Sequence, residues 1–177
     1  MVWRLLAVFA AFLGSMASVG AAEQAWPREH LSDHTSEPGE ALPDFLKRAG
    51  VALHEYTRRT GNEACAIIAT NGELFSIRVG TDGVQRGCAV HHNDVLPGFQ
   101  ATSETIHSHP PRTTRLTARD LSWAKAYGLT VSGWTLNRKK GFSSDDYAGG
   151  AGYLIDNKKL FYQSGVGHVT NFGEISN

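Results

Sequence analysis

Two turn dipeptides, Asn71-Gly72 and Asp82-Gly83, constrain this chain more than any other local feature. Each suits a two-residue turn with positive φ, and each lies between runs rich in strand-forming residues. The spacing predicts three consecutive strands, over residues 64–70, 73–79 and 84–91, joined as a meander. Ahead of them, Phe45, Leu46, Ala49, Ala52, Leu53 and Tyr56 recur at helical spacing. Asp44 just after Pro43 opens that helix, and Gly61 closes it after Thr60. Further on, the pattern predicts a strand over 103–107, a helix over 117–127 ended by Gly128, and a strand over 129–136. A hairpin follows, 153–155 against 160–162 across a turn at 156–159. The sum is an α/β layered domain spanning 44–177, with a mixed, mostly antiparallel sheet flanked by helices.

Composition narrows the function. The 177 residues are 41% hydrophobic, enough for a single real core. Lys plus Arg and Asp plus Glu are 17 each, which argues against nucleic acid as a partner and against a polybasic membrane anchor. Residues 1–22 carry one charge, Arg4, then an apolar run and a small-residue stretch ending Gly20-Ala21-Ala22. That is the pattern of a Sec-type signal peptide, with an apolar run too short to span a bilayer, so no integral span is expected after cleavage. Its removal leaves the charge within one unit of neutral and points to a periplasmic or secreted protein. Residues 23–43, with Pro27, Pro38, Gly39 and Pro43, read as a flexible lead-in. In an oxidising compartment Cys65 and Cys88 are free to pair. On alternate strands of a meander, however, they would stand roughly 10 Å apart, beyond bridging distance. The sequence leaves that disulfide open.

The chemistry concentrates at His107-Ser108-His109-Pro110. Residues i and i+2 of a strand face the same way, so His107 and His109 can offer two imidazoles to one ion. Thr117 follows after seven intervening residues, with Asp120 three further on, a pattern that also reads as a helix cap. If the intervening loop folds the helix onto the strand, Asp120 is the third ligand. Two neutral imidazoles and one carboxylate leave a position open, as in catalytic zinc sites. Glu63, at the head of an apolar strand, is the candidate general base, with Glu55 and Glu73 as rivals and Glu104 on the opposite strand face. The Thr117 hydroxyl could serve a developing oxyanion. His91-His92 reads as a strand end, because adjacent residues point to opposite faces. The basic runs 138–140 and 158–159 read as solvated turns, with attraction to an anionic wall polymer as the other reading.

This spacing resembles the JAMM (MPN-plus) metallopeptidase motif: a Glu, then His-Ser/Thr-His, seven residues, Ser, two residues and Asp. Glu63, His107-Ser108-His109, Thr117 in place of the usual Ser, and Asp120 stand at the matching positions. The segment 63–68 resembles the family's glutamate-bearing first strand, and 152–162 is similar to bacterial exported JAMM-like domains. The resemblance covers roughly residues 44–164. It implies a JAMM/MPN-like, cytidine-deaminase-like fold and a Zn2+-dependent peptidase or isopeptidase. It also implies His107, His109 and Asp120 as ligands, Glu63 as acid/base and Thr117 at the oxyanion. The β-branched Thr117 is stiffer than Ser, a departure that bears on activity. The substrate would be a peptide or protein, with peptidoglycan peptides suggested by the location. Two other expectations stand beside this one: a non-catalytic binding or adaptor module on the same fold, and a secreted antibacterial toxin.

Overall fold

The computed structural model describes residues 26–110, 113–131, 133–137 and 141–176; the expected signal peptide at 1–22 lies outside them. In chain order the elements are β1 (Glu29–Thr35), α1 (Leu42–Thr60), β2 (Cys65–Thr70), β3 (Phe75–Thr81), β4 (Gln100–Ser108) and β5 (Thr113–Arg115). They continue with α2 (Ala118–Ala126), β6 (Thr135–Asn137), α3 (Ser144–Ala148), β7 (Gly152–Asp156), β8 (Lys159–Gln163) and β9 (Val169–Glu174). Seven strands form one open sheet in the order β1-β3-β2-β4-β7-β8-β9, and β5 pairs with β6 apart from it. Every neighbour in the large sheet is antiparallel except β4 and β7. The chain is therefore a mixed α/β structure with a mostly antiparallel sheet. No helix among the described residues is long and apolar enough to cross a membrane.

Helix α1 packs on one face of this sheet. Phe45, Leu46, Ala49 and Leu53 recur every three or four residues and are fully buried, against Ile68, Ile77, Val79, Ile106, Ile155 and Leu160. Each such large side chain contributes about 2 kcal/mol of transfer free energy. Pro43 sits in the first turn, where its missing N–H costs nothing, and Asp44 adds an acid at the positive end. Gly61 closes the helix at φ 74°, its N–H donating to the Thr57 carbonyl.

The meander expectation holds for two strands and fails for the third. β2 and β3 are paired, although their connection is a four-residue loop and not a two-residue turn: Thr70 pairs with Phe75. The Asn71 side chain organises that loop by accepting from the backbone N–H groups of Glu73 and Leu74. Beyond Gly83 the segment expected as a strand over 84–91 is irregular, and β1 takes the place beside β3 where it was expected. The reason is a set of competing bonds. Asp82 accepts from the Ala89 N–H at 3.0 Å and from the Trp123 indole at 2.6 Å, which curls the chain back on itself. Cys88 therefore lies off the sheet, 5.8 Å from Cys65 between Cα atoms, and the two form a disulfide. The roughly 10 Å separation expected for alternate strands does not apply, because Cys88 is not on a strand.

The lead-in 23–43 is also corrected: residues 29–35 form the edge strand β1, paired with β3. What holds this segment is Arg28. Its guanidinium donates to the carbonyls of Cys65 and Ala89 at 2.8 Å each, and to Asp94 at 2.8 Å. Gly80 makes room for it, since a Cβ there would stand 2.6 Å from Arg28 Nε. Trp26 joins Val84, Trp123, Ala124, Leu129 and Val131 in a second, smaller apolar cluster. Leu129 and Val131 are drawn into that cluster, and of the expected strand 129–136 Thr135 and Leu136 lie in β6.

The disulfide closes a loop of 23 residues' separation. A Cys65→Ala plus Cys88→Ala variant is expected to lose about 3 kcal/mol of stability by loop-closure entropy. Urea unfolding of the oxidised and double-variant proteins measures the difference.

Candidate metal centre

The site begins with the register of β4. Cys65 pairs with His107 on one side of the strand and Leu154 on the other, so the end of β4 is bonded between β2 and β7. Beyond the last strand residue, the His109 N–H still donates to the Ile155 carbonyl at 3.0 Å. Ser108, between the histidines, is fully buried. Its Oγ lies 2.6 Å from Thr57 Oγ1 on α1 and accepts from the Ala64 N–H at 3.1 Å. With Ser108 turned toward α1, strand alternation turns His107 and His109 to the other face. Their Nε2 atoms are 3.2 Å apart.

The carboxylate that meets them is Asp146. It lies 3.2 Å (Oδ1) from His107 Nε2 and 3.5 Å (Oδ2) from His109 Nε2. Short helix α3 holds it through a capping box: Ser143 N–H donates to Asp146 Oδ2 at 2.6 Å, and Asp146 N–H donates to Ser143 Oγ at 3.2 Å. Side-chain exposure is 16% for His107, 4% for His109 and 17% for Asp146. Burial works against the charged form of Asp146. The charge and hydrogen bond of His107, followed by those of His109, outweigh it and hold the carboxyl far below the usual carboxylate range.

The donor set and its spacing fit a divalent ion. Ligand atoms about 2.1 Å from a tetrahedral ion stand about 3.4 Å from one another, close to the separations found here. One ligand atom from each of His107, His109 and Asp146 falls within 4.8 Å of the others, the one such group among the described residues. Two imidazoles and a carboxylate suit zinc and its first-row neighbours.

Asp120 is not in this group. It is fully buried at the start of α2, where Oδ2 accepts from the Thr117 N–H at 2.7 Å and from the Thr117 hydroxyl, and Oδ1 accepts from the Gln85 N–H at 2.6 Å. The capping pattern noted in the sequence is what Thr117 and Asp120 form, and the bond to Gln85 adds a clamp on the irregular segment after β3. The Thr117 hydroxyl gives its one proton to Asp120, so none is left for an oxyanion in this arrangement. The sequence did hold a signal for Asp146. Ser143-x-x-Asp146 repeats the hydroxyl-x-x-Asp pattern of Thr117-x-x-Asp120, further from the histidines in the chain.

Glu63 is brought to the site. It is 4% exposed just before β2, fixed by backbone bonds to Val84 and Thr81. It lines a cavity of about 290 Å3 together with His107, Asp146, Arg86, Trp123 and Phe142. Its rivals stand elsewhere. Glu55 and Glu73 are exposed, and Glu104 accepts from the Tyr162 hydroxyl at 2.7 Å.

The chain matches no protein-family model, no curated protein and no solved structure.

The geometry separates the two aspartates experimentally. His107→Ala, His109→Ala and Asp146→Asn are each expected to weaken zinc binding by about 100-fold or more, as read by chelator competition. Asp120→Asn is expected to keep one zinc per chain and instead to lose about 1–3 kcal/mol in urea unfolding, from its broken buried bonds.

Proposed function

We propose that this chain is an exported, zinc-dependent hydrolase of amide bonds in peptides, of the JAMM-like kind, with Asp146 in place of Asp120 as the carboxylate ligand. The observation that carries the reading is the shared cavity: Glu63 and two members of the His107-His109-Asp146 group line the same space. A metal bound only for stability would need neither the cavity nor an acid beside it. Structural zinc sites are closed by four protein ligands, whereas three leave a corner open.

An ion held by His107, His109 and Asp146 would supply Lewis-acid polarisation of the scissile carbonyl and acidify the attacking water. Glu63 takes the proton from that water and returns it to the departing amine. Phe142, stacked edge-on to the His107 ring at 6.5 Å, and Trp123 wall the cavity and limit entry of bulk water. Arg86 lines the same cavity and supplies a cation for the negative charge that develops on the carbonyl, the task expected of Thr117. Export is read from residues 1–22, and it makes peptides of the cell envelope, including peptidoglycan stem peptides, the natural substrate class.

The test is incubation of the zinc-loaded protein with a panel of peptides and muropeptides, with newly released amines detected by mass spectrometry. Glu63→Gln is expected to keep its zinc and to lose turnover by about 100-fold or more. A zinc-loaded protein that releases no amine from any member of the panel, or a Glu63→Gln protein as active as the parent, overturns the reading.

A further inference from the structure

The candidate metal centre is bordered by two cavities. The first, described above, holds Glu63, His107 and Asp146. The second, of about 480 Å3, reaches His109 and is lined by His54, Arg58, Asp156 and Asn157. His54, Thr57 and Arg58 share one face of α1, at i, i+3 and i+4. Thr57 on that face is bonded to Ser108, between the two histidine ligands. The position of the cavity relative to the metal centre is therefore set by a buried contact.

Three nitrogen-bearing side chains line this space. His54 Nε2 is buried and has no hydrogen-bond partner among the described residues, which a native structure rarely tolerates without a ligand or water. Arg58 contributes a guanidinium, and Asn157 a side-chain amide. The carboxylate lining the space is Asp156, whose Oδ2 already accepts from the Gly141 N–H, while Glu55 acts on His54 through its charge. Burial, then the charges of Lys158 and Arg58, lower the pKa of His54, against a smaller opposing effect of Glu55. The turn that carries Asn157 into the lining also carries Lys158, which acts on His54 through its charge. Both residues have positive φ, 50° and 62°, in a two-residue hairpin where Asn-Gly is the favoured pair. The chain keeps a lysine at the position where glycine would be relaxed.

We propose that this cavity is a subsite for a carboxylate carried by the substrate, next to the metal centre, with Arg58, His54 and Asn157 as its donors. As a substrate subsite it rests on the hydrolytic reading above, and it assigns the substrate class: peptides with a free carboxylate close to the cleaved bond. That carboxylate is the α-carboxylate of a chain terminus or the side chain of an acidic residue.

Calorimetric titration of zinc-loaded Glu63→Gln protein, which leaves peptides intact, decides among these. The ligands are acetyl-Ala-Ala with a free C-terminus, its C-terminal amide, and acetyl-Ala-Glu α-amide. At least one of the two carboxylate peptides is expected to bind about tenfold more tightly than the neutral amide, and which one does identifies the source. Arg58→Gln is expected to erase that preference while zinc content stays at one per chain. Equal affinity for all three ligands, no measurable binding, or a preference that survives Arg58→Gln overturns the subsite. The two readings fail separately. Turnover that persists in Glu63→Gln overturns hydrolysis as proposed and leaves the carboxylate preference standing. Turnover without that preference removes only the subsite.

Discussion

The buried contact between Ser108 and α1 is the constraint on which the site depends. A serine with no exposure, hydrogen-bonded to Thr57 and to the Ala64 backbone, cannot turn outward without leaving those groups unpaired in the core. Such a loss costs about 1–3 kcal/mol for each stranded group. Because strand residues alternate faces, fixing Ser108 fixes both neighbours. The imidazoles of His107 and His109 are thereby held together on the opposite face, at a separation set by the strand and not by flexible loops. The same contact couples α1 to the candidate metal centre, which is why the groove lined by His54 and Arg58 lies beside His109.

Two helix caps of the same chemistry do different work. In both, a hydroxyl residue accepts from the N–H of an aspartate three positions on, and the aspartate accepts from the hydroxyl residue's backbone. At Thr117-x-x-Asp120 the carboxylate is used up locally, and its remaining oxygen bonds Gln85. At Ser143-x-x-Asp146 the carboxylate is anchored by one cap bond while reaching both imidazoles. A capping box is a favourable support for a metal ligand, since it fixes the carboxylate rotamer before any ion arrives. The first cap contributes differently: by clamping Gln85 it steadies the segment that carries Arg86 into the cavity.

That segment, from Asp82 to the start of β4, has no strand to hold it and is secured by side chains instead. The disulfide to Cys65, the Arg28 bonds to Ala89 and Asp94, and the Asp82 bonds to Ala89 and Trp123 act together. Cross-linking of this kind limits the motion of an irregular wall without requiring it to join the sheet. It also makes the residues before β1 part of the fold, since Arg28 and Trp26 are among the anchors.

Periodicity in the sequence determined the elements whose stability is local or repetitive. The apolar stripe of α1 with Gly61 after it, the core strands β2 and β3, the β7–β8 hairpin and the shared face of His107 and His109 all follow from spacing alone. Glu63 was also legible, as an acid at the head of a buried strand. Tertiary structure decided the rest. Hydroxyl-x-x-Asp occurs twice, and nothing local distinguishes an aspartate satisfied by its own helix from one that also reaches a distant pair of imidazoles. The path of the chain after Gly83, the edge strand β1 and the Cys65–Cys88 bond likewise depend on partners remote in sequence, such as Arg28 and Trp123. Local pattern sets which conformations a segment prefers. Which of two equivalent carboxylates completes a site is a question of distance through space, and only the packed fold answers it.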